Sequence, residues 1–140
     1  MVIRMKKMMK LLSGAALLGA STLTMAAAFN GSVPLLCAVT GTVSCDAQGD
    51  CIEGPADAVN LPVFLKIDVQ NKVAQSVRVG GEQRTSEILS IHEEEGALVL
   101  LGVDQGAGWS TTIGEDDGRL TLSVSGVGIG YMAFGACIPQ

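Results

Sequence analysis

The sequence predicts an all-β fold, a small antiparallel up-and-down β-barrel or sandwich of about 7–8 strands with two disulfides. Three observations predict it. Helical periodicity is nearly absent after residue 28. Short alternating apolar segments recur at roughly ten-residue spacing between turn residues. All four cysteines lie downstream of an export-type leader. Hairpin-like connections favour a meander, and closure into a barrel removes exposed strand edges.

Residues 1–28 have the layout of a secretory signal peptide. Arg4, Lys6, Lys7 and Lys10 form the basic region, Leu11 to Ala20 the apolar run, and Ala26-Ala27-Ala28 the cleavage site. Ser13, Gly14 and Gly19 break an already short apolar core, which argues against an uncleaved anchor. A lipoprotein is not expected either. Ser21 stands where the acylated cysteine would be, and bulky Leu36 precedes Cys37. The expected product is a periplasmic or secreted protein, residues 29–140, forming a single domain with no stable membrane anchor.

The first strand is LLCAVTGTVSC, where Leu35, Cys37, Val39, Val43 and Cys45 are expected on one face. In CDAQGDC, Cys45 opposing Cys51 and Asp46 opposing Asp50 leaves Ala47-Gln48-Gly49 as a three-residue hairpin loop, with Gly49 at positive φ. Asp46 and Asp50 are expected to face solvent. EGPADAVNLP is the longest connection, and Asp57 is placed to cap a single helical turn in it. VFLKIDV puts Val63, Leu65, Ile67 and Val69 on one face. QNK turns the chain into VAQSVRV, whose stripe is Val73, Val77 and Val79, and Gly80-Gly81 is a hairpin signal before TSEILSIH. ALVLLGV, WSTTI and RLTLSVS follow, separated by DQGAG and GEDDG. In GVGIGYMAFGAC, Gly126, Gly128 and Gly130 are expected on one face, with Trp109 filling the space above them.

An even cysteine count in a small exported chain reads as a disulfide framework. Of the three possible pairings, the local Cys45–Cys51 pair with Cys37–Cys137 tying the domain's start to its end is favoured. After cleavage Lys66, Lys72, Arg78, Arg84 and Arg119 face all fourteen carboxylates. So acidic a chain repels phosphate backbones and anionic lipid, and nucleic-acid binding is not expected.

The candidates for chemistry are few. No cofactor or metal site is expected: the cysteine spacing suits neither zinc nor a redox pair, and CDAQGDC lacks the oxygen ladder of a calcium loop. His92 is the single histidine. A functional reading makes it a general base or, with Glu93 to Glu95, a metal ligand; the favoured reading is a strand-end histidine beside a solvated acidic turn. No G-x-S-x-G elbow is present. Glu115, Asp116 and Asp117 sit in a turn, where adjacent carboxylates are solvated rather than set across a cleft. GVGIG has no βαβ context for a dinucleotide. No catalytic residue is assigned. Trp109 and Tyr131 are the candidate ligand-binding residues, placed to line a pocket at a barrel mouth. Core packing is their other use, because small barrels are normally filled by their own side chains.

PLLCA, the Cys45/Cys51 pair, VNLPVFLKID, GWSTTI followed by DGRL, and the terminal FGAC resemble a family of small exported bacterial proteins of unknown function. The likeness runs from Phe29 to Cys137 and implies no catalytic residues. The architecture is also similar to lipocalin-type barrels and exported lysozyme-inhibitor barrels, although fold alone does not imply function. The expected function is that of an exported non-enzymatic binding protein, its partner a small apolar molecule or an envelope protein. A structural or assembly role in the cell envelope is one alternative. A small enzyme using His92 with a carboxylate is another.

Overall fold

Alternating apolar residues and frequent turns fold the chain into antiparallel strands that close on themselves. The computed structural model describes residues 29–77 and 83–140. The expected signal peptide and the hairpin expected at Gly80-Gly81 fall outside the described residues. Among those described, the strands are β1 (Leu35–Asp46), β2 (Cys51–Gly54), β3 (Phe64–Asp68), β4 (Val73–Val77), β5 (Thr85–Glu94), β6 (Ala97–Asp104), β7 (Ala107–Gly114), β8 (Arg119–Gly126) and β9 (Ile129–Pro139). A 3-10 turn (Ala56–Val59) lies between β2 and β3.

Strands β1 and β3 to β9 pair in sequence order, and β9 returns to pair with β1. The result is a closed eight-stranded barrel with β2 as an addition. One side of β1 carries β9 along its length, from Leu35↔Pro139 to Asp46↔Ile129. The other side carries β3 on its first half and β2 on its second.

One end of the barrel is solid. Leu35, Ile88, Leu98, Leu100 and Ile113 are fully buried there, with Ile67, Val69 and Leu120 packed among them. Burying each large aliphatic side chain contributes about 1.5–3 kcal/mol. Residues 29–34 close this end. The Phe29 ring lies beside Gly118, Gln70 Nε2 donates to Gly31 O at 3.2 Å, and the Gln140 N–H donates to Pro34 O at 2.9 Å.

Both expected disulfides are present. Cys37 and Cys137 oppose each other across the β1/β9 seam, buried in the interior with Cα atoms 3.9 Å apart. Cys45 and Cys51 oppose each other on the exposed β1/β2 hairpin. Its loop holds Gly49 at φ 90°, as the three-residue turn requires. Asp46 is not simply solvated: its Oδ1 accepts the N–H groups of Gln48 (2.9 Å) and Asp50 (3.0 Å), which fixes the turn.

Several facing assignments differ from expectation, each for a local reason. In β1 the register steps from Val39↔Gly135 to Gly41↔Phe134, so Thr40 is an extra residue, its hydroxyl donating to Phe134 O at 3.1 Å. This bulge reverses the alternation. Beyond it Thr42 is buried and Ser44 turns inward, while Cys45 faces out. The β3–β4 loop is one residue longer than QNK, because Asp68 already pairs with Val73. A one-residue change of register exchanges the faces. Ala74 and Ser76 therefore point inward, opposite Ile67 and Leu65, and Val77 is exposed.

The glycines of GVGIG do not share a face. Val127-Gly128 forms a two-residue turn with Gly128 at φ 74°, leaving Gly126 and Gly130 on opposite strands and pairing with Ile129 and Ser125. Trp109 packs over Gly102 instead, where any Cβ would overlap its ring. Asp57 is not a helix cap either. Pro55 holds the N-cap position without a side-chain cap, and Asp57 lies inside the turn.

Candidate functional site

Side-chain size decides where the barrel is filled. Along β6 the inward positions run Leu98, Leu100, Gly102, and along β8 Leu120, Leu122, Val124, Gly126. On the other strands the corresponding end offers Ser44, Ala74, Ser76, Ser86 and Ala107. Close packing needs large residues at such positions. Small ones leave a cavity of about 560 Å³, floored by Ile67, Leu100 and Leu122. That volume lies within the ~300–1,000 Å³ range of small-molecule sites.

Trp109 and Tyr131 both line this cavity. Gly102 makes room for the indole, and Trp109 Nε1 donates to Ser86 Oγ at 2.9 Å, so the ring is held from two sides. Such anchoring suits a buried aromatic with one polar handle.

The segment Asp57–Pro62 lies over the cavity end. Thr42 Oγ1, buried in β1, donates toward Gly54 O (3.0 Å) and Pro55 O (3.2 Å) and ties the start of that segment to the barrel wall. Arg84 ties the far end. Its Nη1 donates to Asn60 O at 3.1 Å, and its Nη2 forms an ion pair with Asp104 Oδ2 at 3.5 Å. The Arg84 backbone is fixed in turn: its N–H donates to Ser76 Oγ and its carbonyl accepts the Ser76 N–H, each at 2.8 Å. Tyr131 stands in the same electrostatic neighbourhood. Burial pushes its phenol above the ordinary tyrosine value, with Arg84 opposing the shift and Asp104 adding to it.

The other candidate residues lie elsewhere. His92 is exposed on the outer face of β5, towards the solid end, its Nε2 2.7 Å from Ser90 Oγ. No ion pair to its ring occurs among the described residues. Asp117 serves its own turn: it accepts the Arg119 backbone N–H at 3.0 Å and pairs with the Arg119 side chain, which together hold its carboxyl below the usual range. Among the described residues no group of three or more His, Cys, Asp or Glu is placed to hold a metal ion. No helix among them is long and apolar enough to cross a membrane.

Arg84, Asp104, Asn60 and the small inward residues were not singled out by the sequence patterns. The signal that marks the small ones is size along each inward row: large at one end, Gly, Ala or Ser at the other. Arg84 and Asp104 carry no such mark, because their pairing joins the start of β5 to the end of β6.

Fold and cavity together define a closed, disulfide-bridged β-barrel, packed at one end and hollow at the other. Comparison with protein families, curated proteins and solved structures gave no significant match.

Proposed function

We propose that the protein is exported and binds a small, largely apolar ligand inside the barrel, without catalysing a reaction on it. The observation that carries this reading is the cavity of about 560 Å³ with an aliphatic floor and Trp109 in its wall. A chain this small ordinarily fills its barrel, so small residues at so many inward positions call for an occupant. Export draws on the leader-like residues 1–28 and on two disulfides, which persist in oxidising compartments. Native mass spectrometry of the protein purified from its host, with thermal-shift screening of apolar compounds, tests the reading. Ligand at ~100-fold its Kd stabilises the fold by about 2.7 kcal/mol, a shift of several degrees. Absence of both a bound species and any shift contradicts it.

A role as an envelope assembly component is the second reading, drawn from the outer wall. Phe64, Val77, Met132, Phe134 and Ile138 are exposed on β3, β4 and β9, and apolar exposure of this kind marks contact surfaces. Cross-linking in intact cells that captures an envelope protein through Phe134 and fails with Phe134→Ser supports it; identical capture by both chains opposes it.

A further inference from the structure

We propose that the ligand is a neutral amphiphile, entering tail first, with an uncharged hydroxyl- or amide-bearing head at the Arg84–Asp104 end of the cavity. This rests on the cavity-binding reading above and specifies its ligand class.

Polarity is sorted along the cavity. Ile67, Leu100 and Leu122 form most of the deep surface, with exposures between 0% and 6%. Thr111, buried between Leu100 and Leu122 on β7, adds the one hydroxyl at that level, so the deep surface favours hydrocarbon. Asp57, Asn60, Arg84, Asp104 and Tyr131 gather at the opposite end. A wholly apolar ligand would cover these polar groups without replacing their water, at a cost of about 1–3 kcal/mol for each group left unpaired. An amphiphile avoids that cost.

The sign of the head group follows from the charges. Arg84 and Asp104 are one cluster, each side chain 35% exposed, and Asp57 adds a second carboxylate to the lining. An anionic head meets Asp57 and Asp104. It also has to compete for a guanidinium whose Nη1 is held by Asn60 O and whose Nη2 is held by Asp104. A cationic head finds the Asp57 and Asp104 carboxylates, but it also meets the Arg84 guanidinium already paired with Asp104, and it loses its own hydration on entry. Only a neutral head meets no like charge while using both kinds of partner, the Asp104 carboxylate as acceptor and the Tyr131 hydroxyl as donor.

The test uses three ligands with the same tail, decanol, decanoate and decylammonium, at neutral pH and below their micelle concentrations. Binding is read from the emission of Trp109, the single tryptophan. N-phenylnaphthylamine, an uncharged apolar dye, serves as the reference probe for the cavity. Decanol is expected to bind about tenfold more tightly than either ion, a difference of ~1.4 kcal/mol. Asp104→Asn removes one of the two carboxylates that oppose an anion and should narrow the gap between decanol and decanoate by at least about threefold; an unchanged gap counts against the inference. Decanoate or decylammonium binding as tightly as decanol, while the dye still binds, overturns this inference alone. If neither the dye nor any of the three binds, the cavity-binding reading fails and takes this one with it.

Discussion

Replacing Cys37 and Cys137 by Ala removes a link between residues 100 apart in sequence, at the seam where β9 meets β1. In the chain-entropy model a loop of that length stabilises the fold by about 4.7 kcal/mol. The same relation gives about 2.2 kcal/mol for Cys45–Cys51, which spans only 6 residues. The gap should widen further, because Cys37 and Cys137 are buried and their truncation leaves unfilled space, whereas Cys45 is half-buried and Cys51 is exposed. Small domains are stable by only ~5–15 kcal/mol, so the interior link is a large share of the total. Urea unfolding followed by Trp109 emission measures both double variants. The Cys37/Cys137 variant should show the larger fall in midpoint, with a slope equal to or steeper than wild type, since its unfolded chain is less constrained. A Cys37/Cys137 variant that loses no more stability than the Cys45/Cys51 variant would refute this reasoning.

Three further outcomes are expected. Gly102→Ala places a methyl group where the Trp109 ring lies, so it should cost about 1–3 kcal/mol and red-shift the tryptophan emission; unchanged emission and stability would contradict the packing described. Tyr131, the single tyrosine, has its pKa raised by burial above the ordinary tyrosine value. Its folded value exceeds the unfolded one, so its stabilising contribution is intact below pH ~10 and is lost as pH rises through the folded pKa. Absorbance at an ultraviolet wavelength specific to phenolate should show late titration in the folded protein and an ordinary midpoint in urea. Asp46→Ala removes the acceptor of two turn N–H groups and should cost about 1 kcal/mol by chemical denaturation, with the Cys45–Cys51 bond still formed on peptide mapping.

The barrel was legible because strand alternation and turn residues are local signals. The CDAQGDC hairpin was legible for the same reason, since its loop length, glycine and paired cysteines all lie within seven consecutive residues. What the sequence hid was facing. In β1 the extra residue Thr40 exchanges the two sides midway, and in β4 one added loop residue does the same to the whole strand. Both errors concealed the cavity, because they assigned inward positions to valine and cysteine where the barrel places Ser44, Ala74 and Ser76. Trp109 and Tyr131 were recognisable as the only large amphipathic aromatics. Arg84 and Asp104 were not, because an ion pair twenty residues apart leaves no periodic trace.

Trp109 in the cavity wall allows binding inside the barrel to be measured directly. Titration of the wild-type protein with N-phenylnaphthylamine should give saturable energy transfer from Trp109 to the dye at one site per chain. Ala74→Phe projects a ring into the same space from β4, opposite Ile67, and should abolish transfer while the protein remains folded by circular dichroism. Equal saturable binding by wild type and Ala74→Phe, or no binding by wild type, would contradict the central claim.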